Sequence, residues 1–292
     1  MAPMASSGIV AHHTILQAPV VAPILQDPTV SQLFTLGGRT AVVTGAARGL
    51  GITIAAALLE AGAHVYCLDI LPEPSPKEWA ALVVKSKEHN LTVNYRQVDV
   101  TKSDMVKSVF ESIAAEAPCP VRVLVAAAGV QQECPAIDFK TEDMRRIMDI
   151  NVVGTFNTAQ AAAITMFKHG LGGSIVMIAS MSGTVANKGL FCTPYNSSKA
   201  AVLQMCRSLS MEWAGHGVRV NTISPGYIKT AMTEMSLAAK PELGKQWADD
   251  NPLHRISLPW EYKGSVIFLA SDASSFCTGA DLRVDGGHSG AW

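Results

Sequence analysis

What this sequence lacks narrows its chemistry first. It has no Cys-x-x-Cys pair. Its six cysteines, Cys67, Cys119, Cys134, Cys192, Cys206 and Cys277, are scattered, and no histidine-rich segment stands at zinc spacing. No metal is called for, and a reducing compartment, the cytoplasm, is expected. No uninterrupted apolar run is long enough to span a bilayer, because glycines, charges or polar groups break the longest candidates. There is no excess of positive charge either. Lys plus Arg total 23 against 24 for Asp plus Glu, a net charge of −1, which removes the electrostatic footprint of a nucleic-acid or anionic-membrane partner. A soluble protein with a small-molecule ligand is expected.

The first 36 residues contain no lysine or arginine and one acid, Asp27, so they lack the basic region of a secretory signal and the arginines of a mitochondrial presequence. They read as a partly flexible arm, with clusters such as Ile9-Val10 and Pro19-Val20-Val21 suited to packing on the body or on a neighbouring subunit. His12-His13 has no acidic or cysteine partner nearby with which to hold a metal. What is present is apolar material: of 292 residues, 48% are hydrophobic and 16% charged, enough for a large core and too apolar for disorder.

From Gly37 onward the pattern is regular. "RTAVVTGA" is a short β-branched run, "GITIAAALLEAGA" has apolar residues at helical spacing, and "HVYCLD" is a second buried-strand run ending in an acid. The alternation continues through "TVNYRQVDV", "MVKSVFESIAAEA", "VRVLVAAAG", "RRIMDINVVGTFNTAQAAAITMF", "GSIVMIAS", "SKAAVLQMCRSLSMEWA", "VRVNTISPG" and "YKGSVIFLAS". Strands buried on both faces and alternating with helices predict an α/β fold, a doubly wound parallel sheet of Rossmann type with helices on both faces. With no interior linker, residues 37–292 are expected to form a single domain.

Two spacings carry chemistry. "TGAARGLG" sets Gly45, Gly49 and Gly51 at a strand-to-helix junction, where missing side chains let backbone amides approach a pyrophosphate at the positive end of a helix. Asp69, at the end of the next strand, stands near the offset of an acid that bonds an adenosine ribose. In "CTPYNSSKAAV", Tyr195 and Lys199 are four apart at the head of a helix and therefore on one face. A pair like this also suits a solvated helix face. A free phenol has a pKa near 10, and a neighbouring ammonium would help it serve as a base near neutrality.

These motifs, in this order, resemble the short-chain dehydrogenase/reductase family, whose TGxxxGxG pattern is matched by Thr44-Gly45, Gly49 and Gly51 and whose YxxxK pattern by Tyr195 and Lys199. "NVVG" puts Asn151 at the family's catalytic asparagine, and "IASMSG" puts Ser180 at its catalytic serine, three residues before Gly183. Ser182 fits the commoner serine-to-tyrosine spacing and is assigned a capping or lining role. The resemblance implies that Ser180 bonds the substrate oxygen, Tyr195 transfers its proton, Lys199 also holds the nicotinamide ribose, and Asn151 anchors a water relay. It further implies cofactor contacts at Gly45, Arg48, Gly49, Leu50, Gly51, Asp69, Asp99, Val100, Gly129, Tyr195, Lys199, Pro225, Gly226, Ile228 and Thr230. NAD is expected over NADP, because Asp69 would repel a 2′-phosphate, although Arg48 would attract one. One departure stands out: "AAAG", Ala126 to Gly129, replaces the family's usual NNAG, a change expected to touch local stability more than chemistry.

Within the family, "LFTLGGRTAVVTGAARGLG", "AAAGVQQ" and "DLRVDGGHSGAW" look most like fungal polyol dehydrogenases and ketose reductases, of the arabinitol 2-dehydrogenase and sorbose reductase-like groups. That implies hydride transfer between a nicotinamide cofactor and a secondary alcohol or ketone, a polyol or ketose. The alternatives are an NADPH-dependent ketone or imine reductase of a specialised secondary pathway and, further off, a non-catalytic dinucleotide-binding scaffold. Residues 233–255 are expected to form a substrate lid, with Met232, Met235, Leu237 and Trp247 either lining an apolar pocket or packing on the body. The terminal Trp292, after a glycine-rich run, points to a homotetramer, or a homodimer, that covers the tail.

Overall fold

The computed structural model describes residues 27–230, 233, 237 and 241–290. His12-His13, Met232, Met235 and Trp292 lie outside the described residues.

The short β-branched runs form strands β1 (Thr40–Thr44), β2 (His64–Asp69), β3 (Val93–Gln97), β4 (Val121–Ala126), β5 (Gly173–Ile178), β6 (Val218–Pro225) and β7 (Asp281–Val284). They pair in parallel in the order β3-β2-β1-β4-β5-β6-β7. Every residue of β1 is buried, as a strand covered on both faces requires. The winding reverses between β1 and β4, and a crevice opens at such a switch point outside the carboxyl ends of the strands.

The helices are α1 (Val30–Leu33), α2 (Gly49–Glu60), α3 (Pro76–Glu88), α4 (Ser103–Glu116), α5 (Thr141–Met148), α6 (Gly154–His169), α7 (Thr193–Trp213), α8 (Pro241–Asp249) and α9 (Lys263–Ala270). One core layer joins the sheet to α4, α6 and α7 through Phe110, Leu124, Met166 and Leu209. The other joins it to α2 and α9 through Ile54, Leu58, Val123 and Val266. Each such side chain, fully buried, contributes about 1.5–3 kcal/mol. Leu36, at the end of the expected arm, is itself fully buried in the second layer, and its amide donates to the Ala61 carbonyl at 2.7 Å. No helix among the described residues is long and apolar enough to cross a membrane.

The run "RRIMDINVVGTFNTAQAAAITMF" spans the end of α5 and most of α6, joined by a π-helical turn at Asp149–Val153. Such a turn inserts a residue into the helical ladder and re-aims side chains. Here the re-aimed residue is Asn151, fully buried beneath the crevice.

Candidate active site

The site begins where β1 runs into α2. Gly45 has φ +67° and Gly49 φ +61°, the left-handed region that glycine enters without strain. A Cβ on Gly45 would stand 2.8 Å from the Ala127 carbonyl oxygen, and one on Gly51 would stand 2.0 Å from the carbonyl oxygen of Gly45. The turn therefore closes only with glycine at these positions. The Gly49 amide donates to a carboxylate oxygen of Glu78, 3.3 Å away, which reaches across from α3. An acidic group thus already occupies the amide-rich start of α2, where the helix end favours negative charge.

Asp69 ends β2 beside this turn. Its carboxylate accepts from the Ala47 amide at 3.0 Å and from the Leu71 amide at 3.1 Å, tying the glycine turn to the loop after β2. Arg48 is exposed. Asp99 accepts from the Thr101 amide and hydroxyl at 2.9 and 2.7 Å, and the buried Val100 is held through its carbonyl by Asn157 at 2.9 Å. The Thr44 hydroxyl accepts from the amides of Ala127 and Ala128 at 3.1 and 3.2 Å, so a side chain from β1 braces the "AAAG" segment.

Tyr195 stands in the first turn of α7, where Pro194 tolerates the missing donor, and Lys199 follows one turn later. The Ser180 hydroxyl and the Tyr195 phenol face the same cavity. Burial raises the phenol above its ordinary value; the nearby Ser180 hydroxyl works against this, and the Cys192 thiol adds slightly to it. Lys199 is buried, and burial pushes its ammonium down to about 8. Its Nζ donates to the Ile178 carbonyl at 2.7 Å and lies 5.6 Å from the centre of the Tyr195 ring.

Of the two serines, Ser180 lines the cavity with Tyr195, whereas Ser182 offers its amide to the Ser180 hydroxyl at 3.1 Å. Asn151 donates to the Val130 carbonyl and to the Ser198 hydroxyl, both at 2.9 Å, and accepts from the Val130 amide at 2.8 Å. Its amide group therefore clamps the loop after β4 to α7. A Cβ on Gly129 would stand 3.3 Å from the Asn151 side-chain oxygen and 3.6 Å from Lys199 Nζ, so this glycine admits the two polar groups to one spot.

A cavity of about 210 Å³ opens here. Leu50, Gly129, Ser180, Tyr195 and Lys199 line one side, and Pro225, Gly226, Ile228 and Thr230 the other. Asp69, Asp99 and Val100 are not part of this lining and stand farther along the crevice, at the ends of β2 and β3. Gln131 and Ile178, which sequence reasoning did not single out, also line it; the "AAAGVQQ" stretch held the only hint of the former. Gly226 passes so close to Asp285 that a Cβ would stand 2.8 Å from its Cα.

Beyond the cavity, Trp247 of α8 stacks on Tyr227 with ring centres 4.2 Å apart and an interplanar angle of 5°. Trp247 thus packs on the body. The Tyr227 hydroxyl accepts from Asn187 at 3.2 Å. The whole arrangement suits a dinucleotide: a cradle that side chains would fill, an amide already taking a carboxylate, and an ammonium beside the cavity. It places a hydroxyl donor, a phenol and a buried cation around one small space, the equipment for moving a proton to or from an alcohol oxygen.

The enoyl-(acyl carrier protein) reductase family matches residues 45–289. The short chain dehydrogenases/reductase notP′ of Aspergillus versicolor is 46% identical over 91% of this chain and 93% of its own length. Galactitol 2-dehydrogenase (L-tagatose-forming) of Cereibacter sphaeroides is 39% identical over 88% and 97%, and the ribulose-forming D-arabinitol 2-dehydrogenase of Candida tropicalis 34% over 87% and 94%. Among solved structures, a gluconate 5-dehydrogenase from Burkholderia cenocepacia J2315, in complex with NADP and tartrate, superposes with a TM-score of 0.82. It is 30% identical, with 90% of this chain and all of that one covered. With the glycine turn, the Ser180–Tyr195–Lys199 cluster and the parallel sheet in agreement, the chain belongs to the short-chain dehydrogenase/reductase family of NAD(P)-dependent oxidoreductases acting on CH–OH groups.

Proposed function

We propose that this protein interconverts a polyol and its ketose, with Tyr195 as the group that moves the alcohol proton. The observation that carries the reading is the convergence of Ser180, Tyr195 and the buried Lys199 on one cavity. Ser180 holds the substrate oxygen and Tyr195 takes the hydroxyl proton in oxidation or returns it in reduction. Lys199 stabilises the phenolate by its charge and binds the nicotinamide ribose, while Asn151 holds the loop and α7 in register. When bound, the nicotinamide supplies the hydride acceptor or donor. The polyol assignment draws on the galactitol and arabinitol dehydrogenases among the relatives and on polar Gln131 and Thr230 in the cavity wall.

NAD is the proposed cofactor. The carboxylates of Asp69 and Glu78 flank the glycine turn and oppose a 2′-phosphate, whereas Arg48 is turned to solvent. Residues 233–255 act as the substrate lid on a domain spanning 37–292. The unit is a homotetramer, supported by a row of exposed apolar side chains, Val153 at the end of the π-helical turn and Phe156 and Ile164 along α6. It works in the cytoplasm, where its six free thiols stay reduced.

The test is a panel of polyols, ketoses and hydrophobic ketones with NAD(H) and NADP(H), followed by absorbance of the reduced nicotinamide. Turnover of a polyol with NAD is expected; turnover confined to hydrophobic ketones with NADPH would replace this reading with that of a specialised-pathway reductase.

A further inference from the structure

The opposite end of the sheet holds three arginines around one cavity of about 320 Å³. Arg39 immediately precedes β1, Arg122 is the second residue of β4 and Arg219 the second of β6. All three therefore stand at the N-terminal ends of nearby parallel strands. Arg219 and Pro225 are six residues apart on β6, so at roughly 3.3 Å per residue the cavity is about 20 Å from the candidate active site.

The three guanidinium groups are used unequally. Arg219 donates to the carbonyls of Leu269 and Ser271, both at 3.0 Å, and to the Ser274 hydroxyl at 2.7 Å. Arg39 pairs with Asp272 at 2.5 Å. Arg122 makes one long bond, from Nε to the Gly172 carbonyl at 3.4 Å, and its two terminal nitrogens have no acceptor among the described residues. Its placement is irregular as well. Thr40 pairs with Val121 and Ala41 with Val123, so Arg122 is the extra residue of a bulge, a device that re-aims a side chain.

Three cations against the single carboxylate of Asp272 leave two positive charges in excess, carried by arginines that are buried (Arg39) or half-buried (Arg122 and Arg219) beneath an exposed rim of Leu171, Ala214, Ser275 and Thr278. The crowding registers on the groups themselves. Burial pushes Arg219 down to about 10; Asp272 opposes this, while Arg39 and Arg122 add to it. Arg122 is lowered by burial and then by Arg39. Both remain charged at neutral pH, each lacking a full complement of anions. The ligand that balances such a site is doubly negative and offers several oxygens to a planar fork of N–H groups.

We propose that this cavity binds a phosphoryl dianion, either inorganic phosphate or a phosphate monoester, with Arg122 as its principal ligand and Arg39 and Arg219 as supporting charge. Ser275 lines the same space and offers a hydroxyl donor, while Thr278, also in the lining, is already bonded to Val220. The site is separate from the proposed cofactor cleft, so it can respond to phosphate while the dinucleotide is bound.

The test is isothermal titration calorimetry of the full-length protein, saturated with NADH, using inorganic phosphate, glucose 6-phosphate and citrate. Phosphate should bind at one site per chain, and Arg122→Gln should weaken it about tenfold or more, the loss expected for hydrogen bonds to a charged group. Arg122→Lys keeps charge and bulk and should fall between, which covers the case in which the glutamine variant fails to fold. Tighter binding of glucose 6-phosphate than of phosphate identifies a monoester as the ligand; equal or weaker binding identifies free phosphate. Affinity for both phosphate and glucose 6-phosphate unchanged in both variants, no heat with either up to about 10 mM, or Arg122-dependent binding of citrate alone would each overturn the proposal.

Discussion

Replacing Lys199 by methionine should abolish turnover and yet stabilise the fold at neutral pH. Lys199 is buried with no carboxylate beside it among the described residues, and its ammonium is pushed from 10.5 down to about 8. At about 1.4 kcal/mol per pKa unit, that gap is a burial penalty of roughly 3 kcal/mol below pH 8. Methionine removes the penalty but leaves the Ile178 carbonyl without its 2.7 Å donor, a loss of about 1–2 kcal/mol. The variant should therefore gain about 1–2 kcal/mol near pH 7, or a few degrees in melting temperature.

The sign of the pH dependence follows. Below the folded pKa the lysine is protonated in both states and the penalty is constant. Between about 8 and 10.5 the unfolded chain keeps a proton that the folded chain releases, so the native protein gains on the variant as pH rises. Urea unfolding of both proteins at about pH 7, 8 and 9.5 isolates this group, because all other titrations are common to the two. A stability difference that does not change across that range would refute the reasoning.

Three further outcomes are expected. Asp69→Ala removes both the acceptor and the repulsion, so the ratio of kcat/KM values should move toward NADP; a native protein that already prefers NADP would show that Arg48 governs the choice. Removing residues 290–292 keeps the buried His288 and the Ser289 bond to Asp285, so any loss of assembly or rise in KM reports on the tail alone. Sedimentation of both forms checks this, and an unchanged oligomer with unchanged kinetics would leave the tail without a role. Asn151→Ala leaves the Val130 amide and carbonyl and the Ser198 hydroxyl without that side chain, so it should destabilise the fold by about 2–3 kcal/mol as well as slow turnover, read by urea unfolding beside kinetics.

How much of this was legible in the chain depends on what each feature rests on. Strand runs such as "TAVVT" and "HVYCLD" are buried on both faces and announce themselves by composition, and the glycine turn by its spacing. Helix α3 was not picked out because it lies over the outer strands and buries only Leu82 and Ser86, too little for a periodic pattern. The π-helical turn at Asn151 was hidden, since one residue inserted into a long helical run carries no composition that marks it. Among the site residues, Tyr195 and Lys199 were readable from their i,i+4 spacing. Contacts that join distant segments, such as Glu78 to Gly49 or Thr44 to Ala127 and Ala128, have no local signature. The bulge at Arg122 is likewise set by pairing with β1 rather than by its neighbours in sequence.

The central claim, that Tyr195 moves the substrate proton, is tested most directly by Tyr195→Phe, measured for turnover and for cofactor binding on the same preparation. The phenylalanine keeps the ring beside Ser180 and Lys199 and removes the phenolic hydroxyl with its exchangeable proton. Turnover should fall by about 100-fold or more while cofactor affinity largely persists. Near-normal turnover with intact cofactor binding would contradict the account.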